Sequence, residues 1–440
     1  SPSLASPPLS AHYEQREPSA IRIAGIRHAE RRDGVAAINV AIGNVSLPMH
    51  PAMVARMRAL GAPESPFSEG VVQYTGTVGV HEAREAFLHI IASSGFDVKG
   101  LHCQVTDGGS QAMELMILGC CGGAGTNERP LMLIDPSYTN YVAFARRLGR
   151  ATVTVQRALQ EDGRFTLPPL EDIDAAIRRD KPGALVMIPY DNPTGHACDH
   201  ATLVALARLC VENDMWLVSD EAYRELFYTG GQAQSVWGIT EQEVPGITGR
   251  RISIESASKV WNACGLRIGA LVTDNPKLHA QAVAENTAGL CSNAIGQYIF
   301  GALRDQSKAD LQRWYGEQRA YYRGMLEGFT SGLQTLLPGV IVSRPDAALY
   351  SVVDVRRLVS EQFDAMDFVM FCATHGAAEV DGKPLTLLTA PMGGFYDVPY
   401  GKPNPGRTQM RVAYVEPPSR MALVPRLFAA LLRQYLERHS

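Results

Sequence analysis

What most constrains this chain is a rhythm. From about residue 80, short strand-like runs, several of them nearly continuous in apolar residues, alternate with longer helix-forming stretches. The runs are 103–107 (CQVTD), 131–135 (LMLID), 151–155 (ATVTV), 184–188 (ALVMI), 215–219 (MWLVS), 251–255 (RISIE) and 268–273 (IGALVT). Each has strand length, and several lack the polar alternation of a strand with one wet face. That is the pattern of strands covered by helices on both sides. Stretches such as 111–119 (QAMELMILG) and 200–214 (HATLVALARLCVEND) supply the helices. The alternation predicts an α/β fold: a three-layer large domain around a mostly parallel seven-stranded sheet.

A chain of 440 residues has room for two or three domains at roughly 150 residues each. After about 295 the texture changes to a long helical region (310–333), strand-like pieces at 339–343 and 349–355, and a closing helix after Pro425. This predicts a smaller α+β domain, which the early strand near 36–43 (AAINVAIG) joins. The expected division is a disordered arm over 1–20, small-domain segments at 21–70 and 321–440, and the large domain over 71–320. The Ser- and Pro-rich arm lacks the apolar stretch of a secretory signal. It reads as disordered or as the remnant of a removed organelle-targeting segment. Eight scattered cysteines with no CxxC pair predict reduced thiols in a cytoplasmic protein. Lys plus Arg (41) against Asp plus Glu (45) argues against a nucleic-acid binder, and no run approaches the roughly 18 apolar residues of a membrane span.

The chemistry gathers where strands end. The run 103–107 leads into 108-GGSQAME-114, and bare amides at a helix N-terminus beside glycine favour an anion. The run 215–219 delivers Asp220, with Tyr223 three residues on. In open α/β sheets ligands sit beyond the strands' carboxyl ends. The run 251–255 delivers 256-SASKVWNACGLRIG-269. Lys259 is there surrounded in sequence by Trp261, Cys264, Leu266 and Ile268, and desolvation lowers an amine's pKa and arms it for Schiff-base chemistry.

Together with 74-YTGTVG-79, 135-DPSYTNY-141, 191-DNPTG-195 and 411-RVAY-414, these pieces occur in one order over roughly residues 36–415. The set resembles fold-type I pyridoxal-phosphate enzymes, specifically the class I/II aminotransferases that include aspartate aminotransferase. The resemblance implies that pyridoxal 5′-phosphate is held as an internal aldimine on Lys259, which then moves the proton. It implies Asp220 paired with the pyridine nitrogen, Tyr223 and Asn192 on the phenolic oxygen, and Tyr138 stacked on the ring. The phosphate falls to Gly109, Ser110, Gln111, Ser256, Ser258 and Arg267. Tyr74 reaches it from the other subunit of a homodimer. Arg411 grips the substrate α-carboxylate, with the backbone of Gly43 and the side chain of Asn192 beside it. The substrates implied are an L-amino acid and a 2-oxo acid; the alternative within the same fold is a β-eliminating carbon–sulfur lyase.

Two departures bear on specificity. The dicarboxylate-specific branch has a second arginine from the partner subunit, yet no arginine lies between Arg267 and Arg304, and 43-GNVSLPMHP-51 lacks the usual acidic residue before proline. Arg22, Arg27 and Lys277 are the candidates to replace it. The triplet His196, Cys198 and His200 has metal-like spacing, but Asp199 reads as a helix cap and no metal is expected. The charged run 27–33 reads as a solvated helix face.

Overall fold

The computed structural model describes residues 5–126 and 128–440. All seven predicted runs enter one sheet, in the order His102–Asp107, Ile268–Thr273, Arg251–Ser256, Trp216–Asp220, Ala184–Met187, Leu131–Asp135 and Thr152–Gln156. Six strands run the same way, and only Ile268–Thr273 is antiparallel to its neighbours. That reversal matters for the site. The six parallel strands end along one edge, and the seventh begins there, with Ile268 opposite Asp107 and Gly269 opposite Ser256.

Side chains alternate between the two faces, as the pleat requires. Ile252, Ile254 and Leu271 pack with Met116, Ile117, Leu131 and Leu133 on one side. Ile268, Ala270, Val272 and Leu217 pack on the other, with Leu203, Leu206 and Leu209 of helix His200–Glu212. Both faces of the central strands are dry, so a run such as Ala184–Met187 needs no polar alternation. Each fully buried Ile or Leu contributes about 1.5–3 kcal/mol by leaving water.

The strand Ala36–Asn39 pairs in parallel with Lys383–Leu388, which carries the antiparallel Ala378–Val380 on its other side. A second small sheet has the order Ile341–Val342, Tyr350–Asp354, Gln409–Ala413, Ala390–Pro391. The N-terminal strand therefore sits among C-terminal elements. Helix Lys308–Leu336 starts at Ser307, whose hydroxyl accepts from the Asp310 amide. Leu326, Phe329 and Leu333 on it and Leu427, Leu431 and Leu432 on the closing helix Val424–Arg438 enter the same core.

Of the arm expected over 1–20, residues 1–4 lie outside the described residues. Ala11–Glu14 form one helical turn capped by Ser10, a local structure that the Ser/Pro-rich composition did not announce. Nothing from 5 to 19 is buried. The charged run 27–33 is not wholly solvated either. Arg31 donates to the carbonyl oxygens of Cys372 and Gly376, at and just past the C-terminal end of helix Ala365–Thr374, which sequence spacing could not place beside it. Among the described residues no helix is long and apolar enough to cross a membrane.

Candidate active site

The shared strand edge opens onto a cavity of about 120 Å³ lined by Gly109, Ser110, Tyr138, Asn192, Asp220, Tyr223, Ser256, Ser258, Lys259 and Arg267. It continues into a cleft of about 1040 Å³ that adds Gly43, Tyr350 and Arg411. Most of the residues singled out from the sequence thus converge.

One end of the cavity is built for an anion. Helix Gly108–Cys121 begins there, and Asp107 at its N-cap makes no capping bond, so the first amides stay open. Gly108 has φ +67°, and a Cβ on it would lie 2.5 Å from Arg267 Nη2. Only glycine lets the guanidinium rest on the helix entry. Arg267 itself sits in the left-handed region at φ 55°, immediately before the reversed strand. Ser256 and Ser258 close the other side, and the Ser258 amide donates to Ser256 Oγ at 2.9 Å.

The opposite wall carries Asp220, the last residue of its strand and 3% exposed. Its carboxylate accepts from Tyr141 Oη at 2.8 Å and from the Ala222 amide at 3.1 Å. Burial nevertheless pushes it up to about 6. A buried carboxylate short of a countercharge is what the protonated ring nitrogen of pyridoxal phosphate would satisfy. With the anion cradle, the donor set fits that cofactor. Beneath it, Arg224 bonds both oxygens of Glu255 (2.9 and 2.8 Å) and Glu221 (3.2 Å), fastening two strand ends together.

Lys259 Nζ donates to Gly43 O and lies 4.0 Å from Cys264 Sγ. Of the apolar sequence neighbours expected around it, Cys264 lies at the amine but Trp261 does not. Trp261 turns into the core to stack on Trp314 with ring centres 6.0 Å apart, and the amine faces the cleft. Arg411 is buried. It donates to Asn192 Oδ1 and Ala41 O, each at 2.8 Å, and its Nε is buried without a partner. Its Cζ lies between the rings of Tyr350 (4.6 Å) and Phe395 (5.1 Å).

Other residues singled out from the sequence lie outside the smaller cavity. Gln111 does not line the cavity: its Oε1 accepts from the Asp107 amide at 2.7 Å and its Nε2 donates to Asn286 at 2.9 Å. The fourth residue of this helix turns its side chain away from what the first amides face. Tyr74 is 78% exposed and outside its own chain's cleft. Of the three cations proposed for the substrate side chain, Arg22 lines the cleft beside Arg16 and Ser19. Arg27 instead pairs with Glu30, and Lys277 lies on the remote helix Pro276–Asn286. At the metal-like triplet, Asp199 caps its helix through the Thr202 amide at 2.8 Å, and His200 turns to Glu243.

Sequence reasoning missed Tyr350. Its run, 347-AALYSVV-353, reads as plain core strand, and only the neighbouring Arg411 marks it as part of the cleft.

Comparison with known proteins agrees with this geometry. Residues 38–389 match the family model described as aminotransferase class I and II. The chain is 27% identical over 381 residues to the aspartate/prephenate aminotransferase of Thermus thermophilus, covering 85% of this chain and 90% of that one. It is 26% identical over 251 residues to the arginine–pyruvate transaminase of Pseudomonas aeruginosa, covering 56% and 58%. In structure it resembles a T. thermophilus aspartate aminotransferase mutant at a TM-score of 0.78 and 23% identity, over 97% of this chain and all of that one. The family's cofactor is pyridoxal phosphate, and the relatives named here are transaminases, so a carbon–sulfur lyase is not favoured. The chain belongs to the class I and II aminotransferases.

Proposed function

We propose that this transaminase moves the amino group of an L-amino acid to a 2-oxo acid, with Lys259 as proton carrier and Arg411 as the grip on the substrate carboxylate. When bound, pyridoxal phosphate supplies the electron sink for the charge left at the substrate's α-carbon. The protein's own residues do the rest. Arg267, Ser256, Ser258, Ser110 and the amides of helix Gly108–Cys121 hold the phosphate, while Asp220 keeps a negative charge opposite the ring nitrogen. Tyr138 covers a ring face. Lys259, within reach of the carboxylate grip through Gly43, takes the α-proton and returns it. The observation that carries this reading is Arg411: a buried guanidinium whose Nε has no partner, facing the same cleft as the amine.

The working form is a homodimer in which Tyr74 reaches the partner's phosphate. Val71, Val72, Tyr74 and Leu290 are exposed apolar or aromatic groups on two adjacent segments, joined by the Thr75 amide donating to Cys291 Sγ at 3.4 Å. Such a patch marks a contact surface. All eight cysteines are free, in keeping with a reducing compartment.

The test is a half-reaction. Protein loaded with pyridoxal phosphate is mixed with single amino donors and its visible spectrum followed, then returned with pyruvate or 2-oxoglutarate. The expected result is a donor-driven spectral change reversed by the 2-oxo acid, abolished in Lys259→Ala. A protein that takes up no cofactor, or whose Lys259→Ala form turns over normally, overturns the assignment.

A further inference from the structure

Tyr350 opens the strand Tyr350–Asp354 of the small sheet and is 1% exposed. Its hydroxyl lies 2.8 Å from that of Tyr223, which follows a strand of the large sheet. The rings meet edge to face, with centres 5.7 Å apart. Strand register pairs Tyr350 with Ala413 and Val352 with Arg411, so Tyr350 and Arg411 are diagonal neighbours on one face. The Arg411 guanidinium accordingly lies 4.6 Å from the Tyr350 ring centre. Position 43 must be glycine for the same reason: a Cβ there would sit 2.5 Å from Tyr350 Oη and 3.1 Å from Lys259 Nζ. One tyrosine thus touches the groups that surround both the cofactor oxygen and the substrate carboxylate.

Counting protons gives the pair a direction. Tyr350 Oη has no hydrogen-bond partner other than Tyr223 among the described residues. Tyr223 Oη already faces the Asn192 amide donor at 3.4 Å. If Tyr350 also donates to it, both lone pairs of Tyr223 are engaged, and its single proton has only the cavity to point into. A hydroxyl that accepts while it donates is a stronger donor, because chained hydrogen bonds polarise one another.

We infer that Tyr350 is a positioning residue of this transaminase: its hydroxyl aims and strengthens the Tyr223 proton toward the cofactor's phenolic oxygen, and its ring holds Arg411 ready for the substrate carboxylate. The inference rests on the pyridoxal-phosphate reading above. The titratable and charged groups facing the two hydroxyls are Tyr138, Asp220, Lys259 and Arg411.

The two duties separate by substitution. Tyr350→Phe keeps the ring and removes the hydroxyl. Tyr350→Leu removes both. In loaded enzyme, the pH midpoint of the visible-band change reports how well the phenolate is held. In Tyr350→Phe that midpoint rises by about half a unit, as one polarising bond is lost, while KM for the amino donor stays within about twofold. Tyr350→Leu shows the same midpoint shift and, in addition, a KM raised about tenfold, the scale of a cation–π contact within a desolvated site. In a Tyr223→Phe background, adding Tyr350→Phe leaves the midpoint unmoved, because there is no longer a phenol proton to aim. A Tyr350→Phe midpoint unchanged or lowered overturns the inference. So does a further shift in the Tyr223→Phe background, or equal KM for the Phe and Leu variants. Should Tyr350→Leu prove unstable, the Tyr350→Phe midpoint in the wild-type and Tyr223→Phe backgrounds still tests the coupling. Failure of the underlying reading looks different: wild-type protein then binds no pyridoxal phosphate and has no visible band to titrate.

Discussion

Asp220 is held at about 6 in the folded protein without cofactor, against 3.8 for an open-chain aspartate, chiefly because burial disfavours its charge. A folded-state value above the unfolded one means that the folded chain binds the proton more tightly. Stability therefore falls as pH rises from about 4 to about 6. Roughly two pH units at 1.36 kcal/mol each put the loss at about 3 kcal/mol, fully developed at pH 7. An asparagine has no charge to desolvate and can still accept from Tyr141. Asp220→Asn apoprotein should then be more stable than wild-type apoprotein by up to about 3 kcal/mol at pH 7, and the difference should shrink toward zero near pH 4. Pyridoxal phosphate should narrow the gap by supplying a cation to the wild-type carboxylate, while the variant loses turnover by orders of magnitude. Urea unfolding of both apoproteins at pH 4.5, 6 and 7.5 checks this. A variant less stable than wild type at pH 7.5, or a difference independent of pH, refutes the reasoning.

Arg411→Lys replaces a two-pronged grip with a point charge. KM for amino donors should rise about 30- to 100-fold, the worth of one charge-assisted bond, with kcat little changed in steady-state assays. Val72→Glu places a charge in the exposed apolar patch; sedimentation should show monomer, and cofactor should be held more weakly as the partner's Tyr74 is withdrawn. Arg22→Ala removes a cleft-lining cation with no ion-pair partner among the described residues. Its kcat/KM for aspartate or glutamate should drop at least fivefold relative to alanine, and equal losses for all donors would show that Arg22 does not read the side chain.

The large sheet was legible because its central strands are dry on both faces, which leaves unbroken apolar runs such as 131–134 and 184–188 in the sequence. Site residues at strand ends were legible for a related reason: Asp220, Ser256 and Arg267 are polar groups that interrupt those runs where the backbone leaves the sheet. The small domain was harder to read. Lys383–Leu388 opens on a lysine and a proline, and its partner Ala36–Asn39 lies at the other end of the chain. Tyr350 was invisible for the opposite cause, since an aromatic within an apolar run looks like core until a distant arginine is seen beside it. Gln111 shows the limit of motif position: it sits in the right helix turn, yet its side chain serves Asp107 and Asn286.

The substrate grip depends on a bond across the whole polypeptide. Arg411 Nη2 reaches the Ala41 carbonyl over a separation of 370 residues, and the Ala413 amide reaches Val40. A ribosome making this chain exposes Lys259 and its strand neighbours well before residue 411 emerges, so the nest for the cofactor can take shape while the nascent product still lacks any means of holding an amino acid.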